Sequence, residues 1–503
     1  MKCLCLYPVD PYLNSDLSVS SAQKPLPSLL FIPFGLSHIA TALQAEGHSV
    51  RIAVIPDLPK SLRQVRGILE RVHPRLVCLS VVSSKYHFAV RLARCVREVC
   101  PEAYIIIGGP HATLNPGAVI QESCFDAVCV GEGEEAIVEL AVQLNSAAPP
   151  RGIANLWFRR GDTVEESSPR PLQENLDALP LIDRSMWDDW VADRRFPSIL
   201  LGRGCPNQCT YCCNHTLAKI APGRWVRTRS PQQIVRELEH LIRHYGDLER
   251  VYLEIESFSI HMDYARALCD QLLEFNRGRA LPIQFGTNLS LHPRLVRDGA
   301  FLQRLREANF TFLNIGLESG SERVRRDILH RPRYSNDDFV FFCNKAHRLG
   351  MAVNVFVLLG LPGETAQDLQ ATIDCLHQCD HINPYPSIFY PYPGTRLFQE
   401  VHAMGLIKDH FYQEGNQERY RARISYPGLH RWRIQWALIT LYYKVYQGHW
   451  SVGRRLSMTL FSLMYVYPWL RVFRGLRAVL LRDRIRRLLH WCFRSTSPSD
   501  TSP

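Results

Sequence analysis

The chain opens Met-Lys-Cys-Leu-Cys-Leu-Tyr-Pro, with neither a hydrophobic signal core nor a small-residue cleavage site, so a secretory leader is not expected. A disulfide framework is missing too. The 16 cysteines are scattered over 503 residues with one group at close spacing, which argues for a reducing, cytoplasmic setting. The apolar run at 458–470 is about thirteen residues, short of the ~20 that cross a bilayer. Acids are nearly absent from the tail: positions 451 to 494 hold ten arginines and one acid, Asp483. That segment carries most of the net charge of +11, so the rest is close to neutral and no general affinity for nucleic acid follows.

What is present is ordinary for a globular protein: 46% hydrophobic and 21% charged residues. The length implies about two to four domains. Strand-like runs at 2–7, 49–55, 76–82, 104–107 and 127–130 alternate with helical patterns at 32–43, 62–72 and 85–99. This predicts a doubly wound, Rossmann-like α/β domain over 1–145, whose ligands bind at loops off the carboxyl ends of strands. Two such loops are rich in glycine, Gly108-Gly-Pro-His111 and Gly131-Glu-Gly-Glu134. The second spells Gly131-x-Gly133-x-x-Ala136, a dinucleotide spacing, but Glu132, Glu134 and Glu135 would repel a pyrophosphate there.

Residues 146–195, rich in Pro, Arg and acids, read as a linker with room for a small hairpin. From 196 to 400 the alternation resumes, with strands at 197–202, 251–256, 283–288, 311–317, 352–359 and 387–390. Six strand–helix units predict a partial (β/α)6 TIM barrel with active residues at the carboxyl strand ends. Residues 401–503 read as a helical, arginine-rich region with a disordered Ser/Thr/Pro end.

The densest chemistry follows the first barrel strand, in Gly202-Arg-Gly-Cys-Pro-Asn-Gln-Cys-Thr-Tyr-Cys-Cys213. Cys205, Cys209 and Cys212 can hold three corners of an iron–sulfur cube, leaving the fourth iron open to a small molecule. A zinc site completed by Cys213 or His215 is the competing reading, although adjacent Cys212 and Cys213 point apart. Glu254 and Glu256, two apart, would share one face of their strand. Cys375 and Cys379, one helical turn apart, read as a core face.

With this run, Arg227-Thr-Arg-Ser-Pro231, Ile315-Gly-Leu-Glu-Ser-Gly320, Leu359-Gly-Leu-Pro-Gly-Glu-Thr365 and Pro391-Tyr-Pro-Gly-Thr395 appear in order. Together they resemble the radical S-adenosylmethionine (SAM) superfamily, in the methyltransferase-like subgroup with an N-terminal cobalamin-binding domain. The Pro33-Phe-Gly-Leu helix entry and the two glycine-rich loops resemble that N-terminal domain. The resemblance implies that Cys205, Cys209 and Cys212 ligate a 4Fe–4S cluster whose open iron chelates SAM. It implies that Tyr211 packs near the adenine and that Glu256, in preference to Glu254, takes the methionine ammonium. Glu318 would contact ribose or ammonium, and backbone at Gly360 the adenine edge. Plain salt bridging is the alternative for Glu254 and Glu318. Arg227 and Arg229 either pair with a carboxylate or sit solvated at a helix entry. Cobalamin contacts are implied at Ser80, Gly108, Gly109, His111, Gly131, Glu132 and Gly133. The Asp-x-His-x-x-Gly run that offers histidine to cobalt elsewhere is absent, so a cobalamin without a protein histidine ligand is implied. His111 then reads as a turn residue bonded to backbone.

The implied activity is methylation of an unactivated carbon in a small-molecule or lipid-like substrate, through a 5′-deoxyadenosyl radical and a cobalamin-borne methyl group. An electron donor such as a flavodoxin or ferredoxin is implied with it. Cyclisation or oxidation with the same cofactors is the alternative reaction, and a non-catalytic cobalamin-binding sensor the alternative class. For the tail, a helical cap over the barrel competes with an interfacial helix meeting anionic lipid at the membrane periphery.

Overall fold

The computed structural model describes residues 1–10, 29–146, 148–407, 411 and 419–467; most of the arginine-rich tail and the Ser/Thr/Pro end lie outside these. The first sheet contains β1 (Lys2–Val9), β2 (Ser49–Pro56), β3 (Leu76–Ser80), β4 (Tyr104–Gly108), β5 (Ala127–Cys129), β6 (Leu156–Arg160) and β7 (Thr163–Glu165), in the order β2-β1-β3-β4-β5-β6-β7. β1 to β5 are parallel. Their apolar character on both faces follows from helices on both sides. On β1, Cys3 and Cys5 join a core with Leu36, Ala40 and Leu140, while Leu4 and Leu6 meet Val65, Leu69 and Leu92 on the other face. Strand order reverses between β1 and β3, where doubly wound sheets open a ligand crevice.

β6 and β7 form the hairpin for which the linker had room, and β6 pairs antiparallel with β5, so this part of the linker extends the first sheet. The second sheet holds β8 (Ser198–Leu200), β11 (Arg250–Glu254), β12 (Gln284–Leu289), β13 (Phe310–Glu318), β14 (Ala352–Leu359) and β15 (Asn383–Ile388), six parallel strands in that order. Two short strands, β9 (Gly202–Arg203) and β10 (Arg227–Thr228), pair antiparallel at its mouth. Helices Pro231–Tyr245, Met262–Asn276, Asn336–Arg348 and Ala366–His377 bury their apolar faces against it. Local sequence sets their starts. Ser230 caps a helix with proline in its first turn, and Ser335 and Thr365 close capping boxes with Asp338 and Asp368.

Three boundaries differ from the sequence reading. β15 begins at Asn383, because Pro384 and Pro386 are tolerated on an edge strand. Residues 324–328 form a π turn, where the sequence pattern between β13 and β14 predicts an α-helix at 321–329. β11 ends at Glu254, so Glu256 leaves the strand and the two carboxylates do not share a strand face. Beyond the barrel, helix Arg431–Val445 covers β15: Tyr442 donates to the Pro384 carbonyl at 2.8 Å and Tyr446 to the Ile382 carbonyl at 2.5 Å. That is the cap reading for this part of the tail. Among the described residues no helix is long and apolar enough to cross a membrane.

Candidate active site

The cysteine loop leaves β9 through Gly204, whose φ of +90° and close approach to the Trp225 carbonyl leave no room for a Cβ. Thr210 ties the loop to the π turn, its hydroxyl donating to the Ile328 carbonyl at 2.6 Å. Cys209 is buried, and Cys205 and Cys212 are half-buried. The Cys212 thiol is brought down from its ordinary value by a hydrogen bond from Cys213, with Asn214 Nδ2 3.6 Å from its sulfur. Cys213, by the same bond and by burial, is pushed up and keeps its proton. Burial raises Cys205 to about 11. Among the described residues no three His, Cys, Asp or Glu side chains converge on one ion. Ligands to three different irons of a cube need no such convergence, so the loop fits a cluster.

Under the loop lies a buried triad. Tyr211 donates to Glu318 Oε1 at 2.9 Å, and Arg331 donates to the Tyr211 oxygen at 3.1 Å while standing 3.6 Å from the same carboxylate. Glu318 sits at φ +64°, at the bulge where β13 loses register with β14. Burial pushes its carboxyl up, against the pull of Arg331 and Tyr211. Arg331 also faces the Cys209 thiol and leaves its own Nε buried without a partner. The salt-bridged alternative for Glu318 is therefore realised, with Tyr211 as a third member. The sequence reading missed Arg331; the cue was an arginine thirteen positions after Glu318, beyond an intervening turn.

The two acids after β11 part company. Glu256 accepts the Gly204 amide at 3.2 Å and so braces the cysteine loop. Glu254 is half-buried at the end of β11, and desolvation together with Glu256 raises its carboxyl to about 7. Gly360 is the residue expected at an adenine edge. Its amide donates to Glu364 at 2.7 Å, and its φ of +80° and the Ile434 side chain 2.8 Å from a Cβ position demand glycine. Glu364 is buried and raised to about 8, with Oε1 unpartnered.

The barrel interior carries a polar ladder that sequence reasoning did not find. Tyr252 donates to Asn288 Oδ1 at 2.8 Å, Asn314 donates to the same oxygen at 3.0 Å, Asn354 to Asn314 at 2.8 Å, and Asn383 to Asn354 at 3.2 Å. One asparagine in each of four successive apolar strands was the available signal.

At the carboxyl edge of the first sheet, Ser80, Gly108, Gly109, His111 and the Gly131 loop come together. Gly109 is glycine because a Cβ would stand 2.8 Å from the Val81 backbone, and at Gly133 one would crowd Cys129 and Ile39. At Gly131, by contrast, φ is +91° and nothing lies within 4 Å of a Cβ position. His111 bonds the Ser83 hydroxyl at 3.0 Å in place of backbone and stacks on Tyr86, and burial holds it near 4, hence neutral. The buried pair Asp10–Lys85 spans the switch point at 3.3 Å. On the same rim His38 is buried with Nδ1 unpartnered. An open glycine and an orphaned ring nitrogen fit a large polar ligand such as cobalamin.

Glu132, expected at the cobalamin, sits in an ionic clamp. Its carboxylate takes Arg203 and Arg227 at 2.8 Å each, plus the Gln173 amide at 3.2 Å, and Glu134 also holds Arg203. The two arginines and the depressed Glu132, at about 2, lock the loop after β5 to the mouth of the barrel. Arg229 and Arg184 share Glu237 in a second buried group. Both helix-entry arginines thus pair with carboxylates and are not solvated.

Comparison with known proteins agrees with this division. Residues 199–376 match the radical SAM superfamily and residues 28–141 the B12 binding domain. An uncharacterized methyltransferase of Pyrococcus horikoshii is 27% identical over 383 residues, covering 75% of this chain and 79% of its own. An anaerobic magnesium-protoporphyrin IX monomethyl ester cyclase of Cereibacter sphaeroides is 25% identical over 66% of this chain, which spans only 54% of that enzyme. The fold is shared with the cobalamin-dependent SAM radical enzyme OxsB, solved with aqua-cobalamin and SAM bound, at TM-score 0.66 and 14% identity over 97% of this chain and 74% of that one. The chain is therefore a radical SAM superfamily enzyme with an N-terminal B12-binding domain, whose cofactors are a 4Fe–4S cluster, SAM and cobalamin.

Proposed function

We propose that this enzyme methylates an unactivated carbon of a small molecule, with Cys205, Cys209 and Cys212 as cluster ligands. The observation that carries the reading is the ionic lock between Glu132, in the loop after β5, and Arg203, two residues before Cys205. It ties one cofactor edge to the other. When bound, the cluster with SAM supplies a 5′-deoxyadenosyl radical and cobalamin supplies the methyl group.

The protein's own tasks follow from its residues. Glu254, half-buried and unpaired by any cation among the described residues, is free to receive an ammonium, whereas Glu256 braces the loop. Tyr211, Glu318 and Arg331 hold one another rigidly under the cysteines, so a nucleoside would meet a preorganised wall. Gly131 offers bare backbone to the corrin. The asparagine ladder gives the barrel interior a fixed polar lining.

The test is anaerobic incubation of reconstituted enzyme with reductant and candidate substrates. Methylation yields 5′-deoxyadenosine, S-adenosylhomocysteine and a product heavier by one methylene. Deoxyadenosine without S-adenosylhomocysteine would favour the cyclising or oxidising alternative, for which the cyclase relative is the motive. A sensor would yield neither. An external one-electron donor is part of this proposal. Peripheral lipid contact is a second one: Trp432 and Trp436 are each 57% exposed, one turn apart on the capping helix. Cosedimentation with phosphatidylglycerol but not phosphatidylcholine vesicles, lost in W432S/W436S, is the expected result.

A further inference from the structure

We infer that Asn214 is a positioning residue that sets the electron affinity of the cluster, its side-chain amide donating to the sulfur of Cys212 and so favouring the reduced state; this rests on the cluster assignment above. Asn214 Nδ2 lies 3.6 Å from Cys212 Sγ, a hydrogen-bond distance for a sulfur acceptor. The residue stands outside the Cys-x3-Cys-x2-Cys spacing, and nothing in that spacing calls for an amide there.

The three cysteines are not supported alike. Cys205 takes one backbone amide, that of Asn207, and Cys209 takes the Arg331 guanidinium. Cys212 takes the backbone amide of Asn214, the Asn214 side chain and the Cys213 thiol. Donors therefore crowd onto one sulfur of the three. Arg331 is also bound up with Tyr211 and Glu318, so replacing it would disturb the wall under the loop. The Asn214 side chain makes no other hydrogen bond among the described residues, which makes its effect separable.

The donor is held in place from two sides. Asn214 begins the short helix Asn214–Leu217. Thr216 of that helix donates to the Gly394 carbonyl at 2.7 Å, and the helix packs against Pro110–Leu114 of the first domain. Reduction adds one electron to the cluster and moves no atom, and the added negative charge is shared by the ligating sulfurs. A hydrogen bond to such a sulfur strengthens as its charge grows, which raises the reduction potential. A fixed donor delivers that gain without having to reorganise.

The experiment loads the full chain with iron and sulfide and titrates it anaerobically with dithionite and redox mediators, reading the reduced cluster by electron paramagnetic resonance. Only loaded chains give the signal, so incomplete loading does not move the midpoint. Asn214→Leu removes the donor and should lower the reduction equilibrium constant about tenfold, ~59 mV for one electron. Asn214→Asp, equal in size, turns the donor into an acceptor and should lower it further. Asn214→Gln keeps an amide and should recover part of the shift. A leucine midpoint equal to the parent's overturns the inference. So does an equal fall in the leucine and glutamine chains, which would make packing, and not the amide, the cause. Where the leucine chain takes up no cluster, the aspartate chain decides, and a parental midpoint there overturns the inference. Failure of the parent chain itself to take up a cluster would instead overturn the assignment of 205–212.

Discussion

Glu132 and Arg203 meet at 2.8 Å across 71 positions of sequence, one in the glycine loop of the first domain and the other at the threshold of the cysteine loop. Arg227, whose side chain is 0% exposed, joins the same carboxylate. An exposed pair would contribute little, ~0–1 kcal/mol. Here removal of the carboxylate strands a buried guanidinium, which costs about 3–5 kcal/mol. Glu132→Ala should therefore lower the melting temperature of the apo protein and weaken its hold on cobalamin, both measurable by calorimetry.

The same carboxylate has a pH signature. Its folded value, about 2, lies below the ordinary 4.5. The stabilisation is complete above pH 4.5 and is lost as pH falls toward 2. Thermal melts between these limits should decline more steeply for the parent than for Glu132→Gln.

Glu254 has the opposite sign. Burial raises it from 4.5 to about 7, so its ionised form burdens the fold at higher pH. Apo Glu254→Gln should match the parent below pH 4.5 and melt higher than it at pH 8. Equal melting curves at pH 8 would show that a cation already compensates the carboxylate.

The asparagine ladder makes Asn314 a two-sided link. Asn314→Leu leaves Asn288 and Asn354 with lost partners, and a cost of about 1–3 kcal/mol is expected from urea unfolding.

At Gly360, a Cβ would meet Ile434 at 2.8 Å in a left-handed backbone. Gly360→Ala should loosen the capping helix and speed proteolysis near 431. Adding Ile434→Ala should recover part of the loss, because it relieves the clash but not the φ strain.

The sequence made the architecture readable because buried parallel strands are apolar runs, and β3, β4 and β14 stand out as such. The three cysteines stand out by their spacing. The clamp was not, since Glu132 and Arg227 are 95 positions apart and no local pattern encodes their pairing. The parting of Glu254 and Glu256 was hidden for another reason. Alternation continues through Ile255, but the backbone turns at Ser257 and Ser259, whose hydroxyls bond the Ser290 backbone of the next strand's loop. Of the first domain's glycines, packing demands Gly109 and Gly133 whatever the ligand.

The central claim is that two cofactor sites, held together by Glu132, Arg203 and Arg227, work as one radical methylating centre. The most direct measurement is anaerobic quantification of 5′-deoxyadenosine and S-adenosylhomocysteine from cluster-loaded enzyme, with and without cobalamin. The account predicts both products with cobalamin and only deoxyadenosine without it. S-adenosylhomocysteine formed independently of cobalamin, or no deoxyadenosine in either case, would contradict it.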